Sequence, residues 1–127
     1  MKLLLTSIII VILSSCSTTL STEETVEEFT LSLSEGRCED AIMLTTGTIN
    51  ETVQQHIDMG CEEFKTTVDS VLCKIDDDKA RCRCFETRNE IQMAFSYNLL
   101  KTGDSWKIKE HVKGADLFWN ENLEDAF

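Results

Sequence analysis

Between Thr66 and Val112 apolar and polar residues alternate with a period of two, the signature of extended chain whose successive side chains point to opposite faces. Polar interruptions at Asp77-Asp78, Arg88-Asn89 and Gly103-Asp104 divide this run into four strands joined by tight turns. Pairing about the first turn sets Cys73 opposite Cys82. Pairing about the second sets Cys82 opposite Phe95 and Cys84 opposite Met93, and pairing about the third sets Leu99 opposite Ile108. These registers predict one apolar face carrying Val71, Cys73, Ile75, Ala80, Cys82, Cys84, Ile91, Met93, Phe95, Tyr97, Leu99, Trp106 and Ile108. The opposite face carries Lys74, Arg81, Arg83, Gln92, Ser96, Asn98, Lys107, Lys109 and His111, and is mainly polar and basic.

Upstream of the strands the apolar spacing changes to three and four residues. Ser21 and Glu24 have the spacing of a capping box, in which a hydroxyl and a carboxylate satisfy free amides at a helix start. Val26, Phe29 and Leu33 then form one apolar stripe, and Gly36 ends the helix. A short second helix is predicted from Glu39 to about Thr45, burying Ala41, Ile42 and Leu44. A third runs from Thr48, whose spacing to Glu51 repeats the capping box, to Met59, with Gly60 as its left-handed cap and Ile49, Val53, Ile57 and His56 facing inward. Three helices followed by four antiparallel strands make an α+β domain over residues 22–113, with the N-terminal helices packed on one face of the sheet.

The ends of the chain are of a different kind. Lys2 followed by an apolar run to Leu13 is too short to cross a bilayer and reads as a signal peptide over residues 1–15. Its close, Leu13-Ser14-Ser15-Cys16, resembles the lipobox of bacterial lipoproteins, which implies cleavage before Cys16, acylation of Cys16 and a tether over residues 16–21. The expected address is the bacterial cell envelope, held by acyl chains. Ser17 in place of an aspartate resembles an outer-membrane sorting signal. Residues 114–127 form an acidic tail with an apolar cluster at Leu117, Phe118 and Trp119, whose character complements the basic and apolar outer face of the sheet.

The formal net charge of −11 excludes a nucleic-acid binder, because such binding rests on a cationic surface. The negative charge is uneven. Residues 17–64 hold eleven acids against Arg37 alone, whereas the strand region holds ten bases against eight acids. Among the bases, Arg81, Arg83, Lys107 and Lys109, interleaved with Phe85, form a candidate docking surface for an acidic amphipathic protein partner.

Five cysteines remain after Cys16, a density that fits an oxidising compartment. Cys73 and Cys82 face each other at a non-hydrogen-bonded position of the first hairpin, where a bridge can form. A second bridge joins Cys38 to Cys61 and leaves Cys84 as a buried thiol, or joins Cys61 to Cys84 and leaves Cys38 free.

The helix break at Glu35-Gly36-Arg37 before Glu39-Asp40-Ala41, and the closing hairpin Gly103-Asp104-Ser105-Trp106-Lys107-Ile108, resemble bacterial lipoproteins with a nuclear transport factor 2-like, or cystatin-like, domain of unknown function. The resemblance covers roughly residues 22–112. It implies a curved four-stranded sheet wrapped on a long helix to form a cone with a pocket. Isomerases and dehydratases are known in that superfamily, with acids, histidines or tyrosines inside the cone. Here Tyr97, Glu86 and Glu110 are the inner-face groups of that kind, and the strand-end positions of the two glutamates predict solvated carboxylates. A cystatin-like inhibitor is a further alternative, but the Gln-x-Val-x-Gly loop is missing.

His56 and His111 belong to no spaced ligand set, and Asp76-Asp77-Asp78 lacks the rest of a calcium loop. The expectation is therefore no metal, no cofactor and no catalytic residue. The protein is read as a non-enzymatic envelope domain that binds a protein partner or a small apolar ligand.

Overall fold

The structure is a computed structural model and describes residues 19–112. The signal segment, Cys16 and the 114–127 tail lie outside the described residues. Helix α1 (Thr22–Ser34) begins with a complete capping box: the Ser21 hydroxyl accepts from the Glu24 amide and the Glu24 carboxylate accepts from the Ser21 amide. Its apolar residues Val26 and Phe29 are buried, and so are Thr22, Thr25, Thr30, Ser32 and Ser34. These hydroxyls are not a packing fault. Thr25 donates to the Ser21 carbonyl and Ser34 to the Leu31 carbonyl, so α1 buries far more of its circumference than one stripe.

Helix α2 (Cys38–Ile42) is short, and α3 (Gly47–Asp58) starts earlier than the Thr48-Glu51 spacing predicts. Thr46 is the cap residue, no side-chain cap forms, and the Thr48 hydroxyl points instead to the Lys109 carbonyl at 3.4 Å. The helix can begin at Gly47 because that residue has φ of 61° and sits against β4, where an added Cβ would lie 3.0 Å from the Lys109 carbonyl oxygen.

Strands β1 (Thr67–Asp76), β2 (Lys79–Arg88), β3 (Ile91–Thr102) and β4 (Ser105–His111) form one antiparallel sheet in the order β1-β2-β3-β4. The first and third hairpins pair as predicted, with Cys73 opposite Cys82 and Leu99 opposite Ile108. The second does not. Its turn is Asn89-Glu90, both residues left-handed at φ of 50° and 66°, which matches the twist of a two-residue hairpin loop. Cys82 therefore faces Tyr97 and Cys84 faces Phe95. A shift of two residues leaves every side chain of β3 on its predicted face, and so the predicted core survives the error.

Two irregularities alter the faces locally. Asp69 is an extra residue in β1, between Val68 opposite Glu86 and Ser70 opposite Phe85. Lys109 is an extra residue in β4, between Ile108 opposite Leu99 and Glu110 opposite Asn98, and His111 then lies opposite Tyr97. Strict alternation predicts an outward His111; the bulge turns it inward.

Val26, Phe29, Cys38, Ala41, Ile49 and Val53 from the helices pack against Ala80, Cys82, Cys84, Tyr97, Leu99 and Ile108 from the sheet. Ile75 and Ile91, predicted for this core, are 56% and 63% exposed because they sit beside hairpin tips that the helices do not reach. The free edge of β4 is met at Ile108 by the segment entering α3: the Thr46 amide donates to the Ile108 carbonyl, and the Ile108 amide donates to the Leu44 carbonyl. A disulfide joins Cys38 at the start of α2 to Cys61 after α3, with Cα atoms 6.2 Å apart. Another joins Cys73 to Cys82, with Cα atoms 4.0 Å apart.

Candidate functional site

The cone opens in a cleft of about 580 Å³ between α1, α3 and the ends of β3 and β4. Its wall is apolar and aromatic, with Phe29 and Leu33 from α1, Ile49 and Val53 from α3, and Phe95 and Tyr97 from β3. The same strand period that builds the core puts Phe95 and Tyr97 there, two residues apart on the inner face. Tyr97 meets Phe29 edge-to-face at 5.9 Å between ring centroids, an arrangement that fixes both rings.

Polar groups enter at one side. The His111 ring lies 5.5 Å from that of Tyr97 and 5.9 Å from that of Phe95, and its Nε2 is buried. Glu110, expected on the inner face, borders the cleft, but the bulge that turns His111 inward sets Glu110 opposite the outward Asn98, and its carboxylate accepts a hydrogen bond of 2.7 Å from Asn98 Nδ2. His56, expected to face inward, is instead exposed on α3 and borders the mouth. The arrangement is an apolar slot with a histidine and a phenol at one end. Sequence reasoning missed His111, because a one-residue bulge carries no composition signal.

A second polar group is fully enclosed. Glu86 is 1% exposed, against the expectation of a solvated strand-end carboxylate. Its Oε1 accepts from Thr66 Oγ1 at 2.8 Å and from the Arg88 guanidinium at 2.9 and 3.1 Å. Its Oε2 is buried with no hydrogen-bond partner among the described residues. Arg88 is held in turn over two rings, 4.4 Å from the centroid of Phe64 and 5.1 Å from that of Phe95. The segment before β1 thus folds over the strand end and removes Glu86 from water. Beside it, Cys84 is a buried thiol whose Sγ is 3.8 Å from Thr30 Oγ1. Burial, reinforced by the Glu86 charge, pushes its pKa up to about 12, so it is a poor nucleophile at neutral pH.

The five residues of the predicted docking surface do not come together as an exposed patch. Arg83 and Phe85 are 5% and 8% exposed. Arg81 donates to Asn98 Oδ1 at 3.0 Å, and Lys107 donates from Nζ to the Met43 carbonyl beside the edge of β4. Lys109 lies at the bulge against Gly47. Among the described residues no group of three or more His, Cys, Asp or Glu is placed to hold a metal, and no helix is long and apolar enough to cross a membrane.

A sheet curved around α1, with a cleft at its open end, is the α+β cone of nuclear transport factor 2-like and cystatin-like folds. A protein of unknown function described as NTF-2 like, from Shewanella oneidensis MR-1, superposes with a TM-score of 0.51 at 11% identity, over 69% of this chain and 91% of that one. A protein of unknown function with a cystatin-like fold from Nostoc punctiforme superposes with a TM-score of 0.50 at 12% identity, over 76% and 97%. Bd1075 of Bdellovibrio bacteriovorus gives 0.54 at 13% identity over 68% of this chain, which spans only 38% of that protein's length. No family model and no curated protein matches the chain. At these identities the likeness is one of fold.

Proposed function

We propose that this is a lipid-anchored envelope protein, non-enzymatic, whose cone holds a small apolar ligand. The observation that carries the reading is the cleft of about 580 Å³ walled by Phe29, Leu33, Ile49, Val53, Phe95 and Tyr97, a size and lining suited to a compact apolar molecule. The anchor rests on Leu13-Ser14-Ser15-Cys16 at the end of the apolar segment. The probe is 1-anilinonaphthalene-8-sulfonate, which brightens in apolar surroundings. It should bind the folded domain saturably at one site, and Thr52→Trp, which fills the cleft from the exposed face of α3, should weaken that binding at least about tenfold. Unchanged binding by a folded Thr52→Trp variant refutes the cleft. Separately, Cys16→Ala should release the protein from membranes; a variant that still sediments with them and carries acyl mass refutes the anchor.

The inward His111 beside Tyr97 favours one second reading, an enzyme of the isomerase or dehydratase type, because such chemistry needs a base within the pocket. His111→Gln separates the two. A ligand-binding cone keeps most of its probe affinity. An enzyme keeps that affinity and loses turnover of any substrate found for it.

A further inference from the structure

The face of the sheet turned away from the helices is buried in one region. Arg83, Phe85, Ala94 and Ser96 are 5%, 8%, 8% and 2% exposed. They are mutual neighbours, since Arg83 pairs with Ser96 and Phe85 with Ala94. Yet Phe85 and Ala94 stand outside the core cluster to which α1, α2 and α3 contribute, so the helices are not what shields them. An arginine and a phenylalanine on a sheet face lose their accessible surface only beneath a covering layer.

We propose that the cover is the chain's own C-terminal segment, residues 114–127. The Val112 amide donates to the Ser96 carbonyl, so the chain leaves β4 directly beside the buried patch. Fourteen residues span about 20 Å as helix or more than 40 Å extended, and the four strands are about 15 Å across, so the reach suffices. The chemistry matches as well. The segment offers Leu117, Phe118, Trp119, Leu123 and Phe127 to Phe85 and Ala94, and Asp116, Glu121, Glu124 and Asp125 to Arg81 and Arg83. A tethered segment acts at an effective concentration in the millimolar range, so modest contacts hold it. The outer face is then a surface already occupied in cis, and an acidic amphipathic partner reaches it only by displacing this segment.

Trp119 reports on this directly once Trp106→Phe leaves it as the sole tryptophan. In the full chain its quenching by acrylamide should be about threefold weaker than in the same chain unfolded by denaturant, and the protection should persist on roughly hundredfold dilution. Arg83→Glu should remove most of that protection while the unfolding transition stays cooperative. Should Trp106→Phe fail to fold, the unsubstituted chain compared with a chain ending at Gly114 gives the same reading by difference. Quenching of Trp119 equal to that of the unfolded chain overturns the proposal. So does protection that vanishes on dilution, which would give the face to a second copy.

Discussion

Arg88 and Glu86 form a pair in which one partner is wholly enclosed and the other is only about two-thirds buried, with side-chain exposures of 0% and 32%. Arg88→Met strips the carboxylate of its two guanidinium hydrogen bonds and leaves only the one from Thr66. Removing one partner of a buried pair costs about 3 to 5 kcal/mol; the partial exposure of Arg88 places this case near the lower end, at about 3 kcal/mol. Methionine retains most of the contact with Phe64 and Phe95, and the lost cation–π attraction adds only about 0.5 to 1 kcal/mol. Glu86→Met should cost less, about 1 to 2 kcal/mol, since Arg88 can still reach water. With both replaced, an apolar pair fills the same space and the net change should lie within about 1 kcal/mol of zero. The cycle therefore predicts a coupling of at least about 2 kcal/mol, well above the roughly 0.5 kcal/mol within which independent sites add. Urea titrations of the four chains, with a common m-value, measure it. A double variant whose loss equals the sum of the two single losses would falsify the assignment of Glu86 and Arg88 as one enclosed unit.

Cys84 has a folded pKa of about 12 against 9.0 for the free group, so its contribution to stability is complete below about pH 9 and is lost as pH rises toward 12. The expected slope is about 1.4 kcal/mol per pH unit in that window, and Cys84→Ala should abolish it in urea titrations taken at pH 8 and about pH 10. At pH 8 the thiol should also react with a disulfide reagent only as fast as the domain opens. Glu90→Gly should stabilise by up to about 1 kcal/mol, because Glu90 holds a left-handed φ of 66° in the β2–β3 turn; a lower urea midpoint contradicts the turn assignment. Gly47→Ala should destabilise by about 1 to 2 kcal/mol, since both its φ of 61° and the 3.0 Å approach to the Lys109 carbonyl oppose a Cβ. A neutral Gly47→Ala, judged by thermal midpoint, would show that α3 does not press on the bulge.

Period and chemistry of the turns made the architecture readable. Two of three hairpin registers follow from Asp77-Asp78 and Gly103-Asp104, and the error at the second was even-numbered, so it moved pairs without moving faces. The site was less legible because it depends on departures from period. A bulge at Lys109 reverses the expected orientation of His111, and no property of Lys109 itself announces an extra residue. Glu86 was read as solvated because burial at a strand end is decided elsewhere, by Phe64 and Thr66 folding across from a segment without regular structure. Alternation placed Arg81 and Arg83 opposite Asn98 and Ser96 on the outer face, but it is silent on whether a face is covered. That is why Arg83 and Phe85 are buried where an open surface was expected.

The pairing of Leu44 and Thr46 with Ile108 has a consequence for how copies of this chain can meet. Both outer strands are edges, but among the described residues the edge of β4 is interrupted at Ile108, whereas that of β1 runs ten residues with Leu72 38% and Ile75 56% exposed. Strand addition is thus favoured at the β1 edge. Two chains meeting β1 to β1 would consume both uninterrupted edges, whereas a chain with two bare edges could go on adding neighbours without limit. Interrupting the outer edge of β4 at Ile108 makes that side of the sheet a poorer template for linear polymerisation.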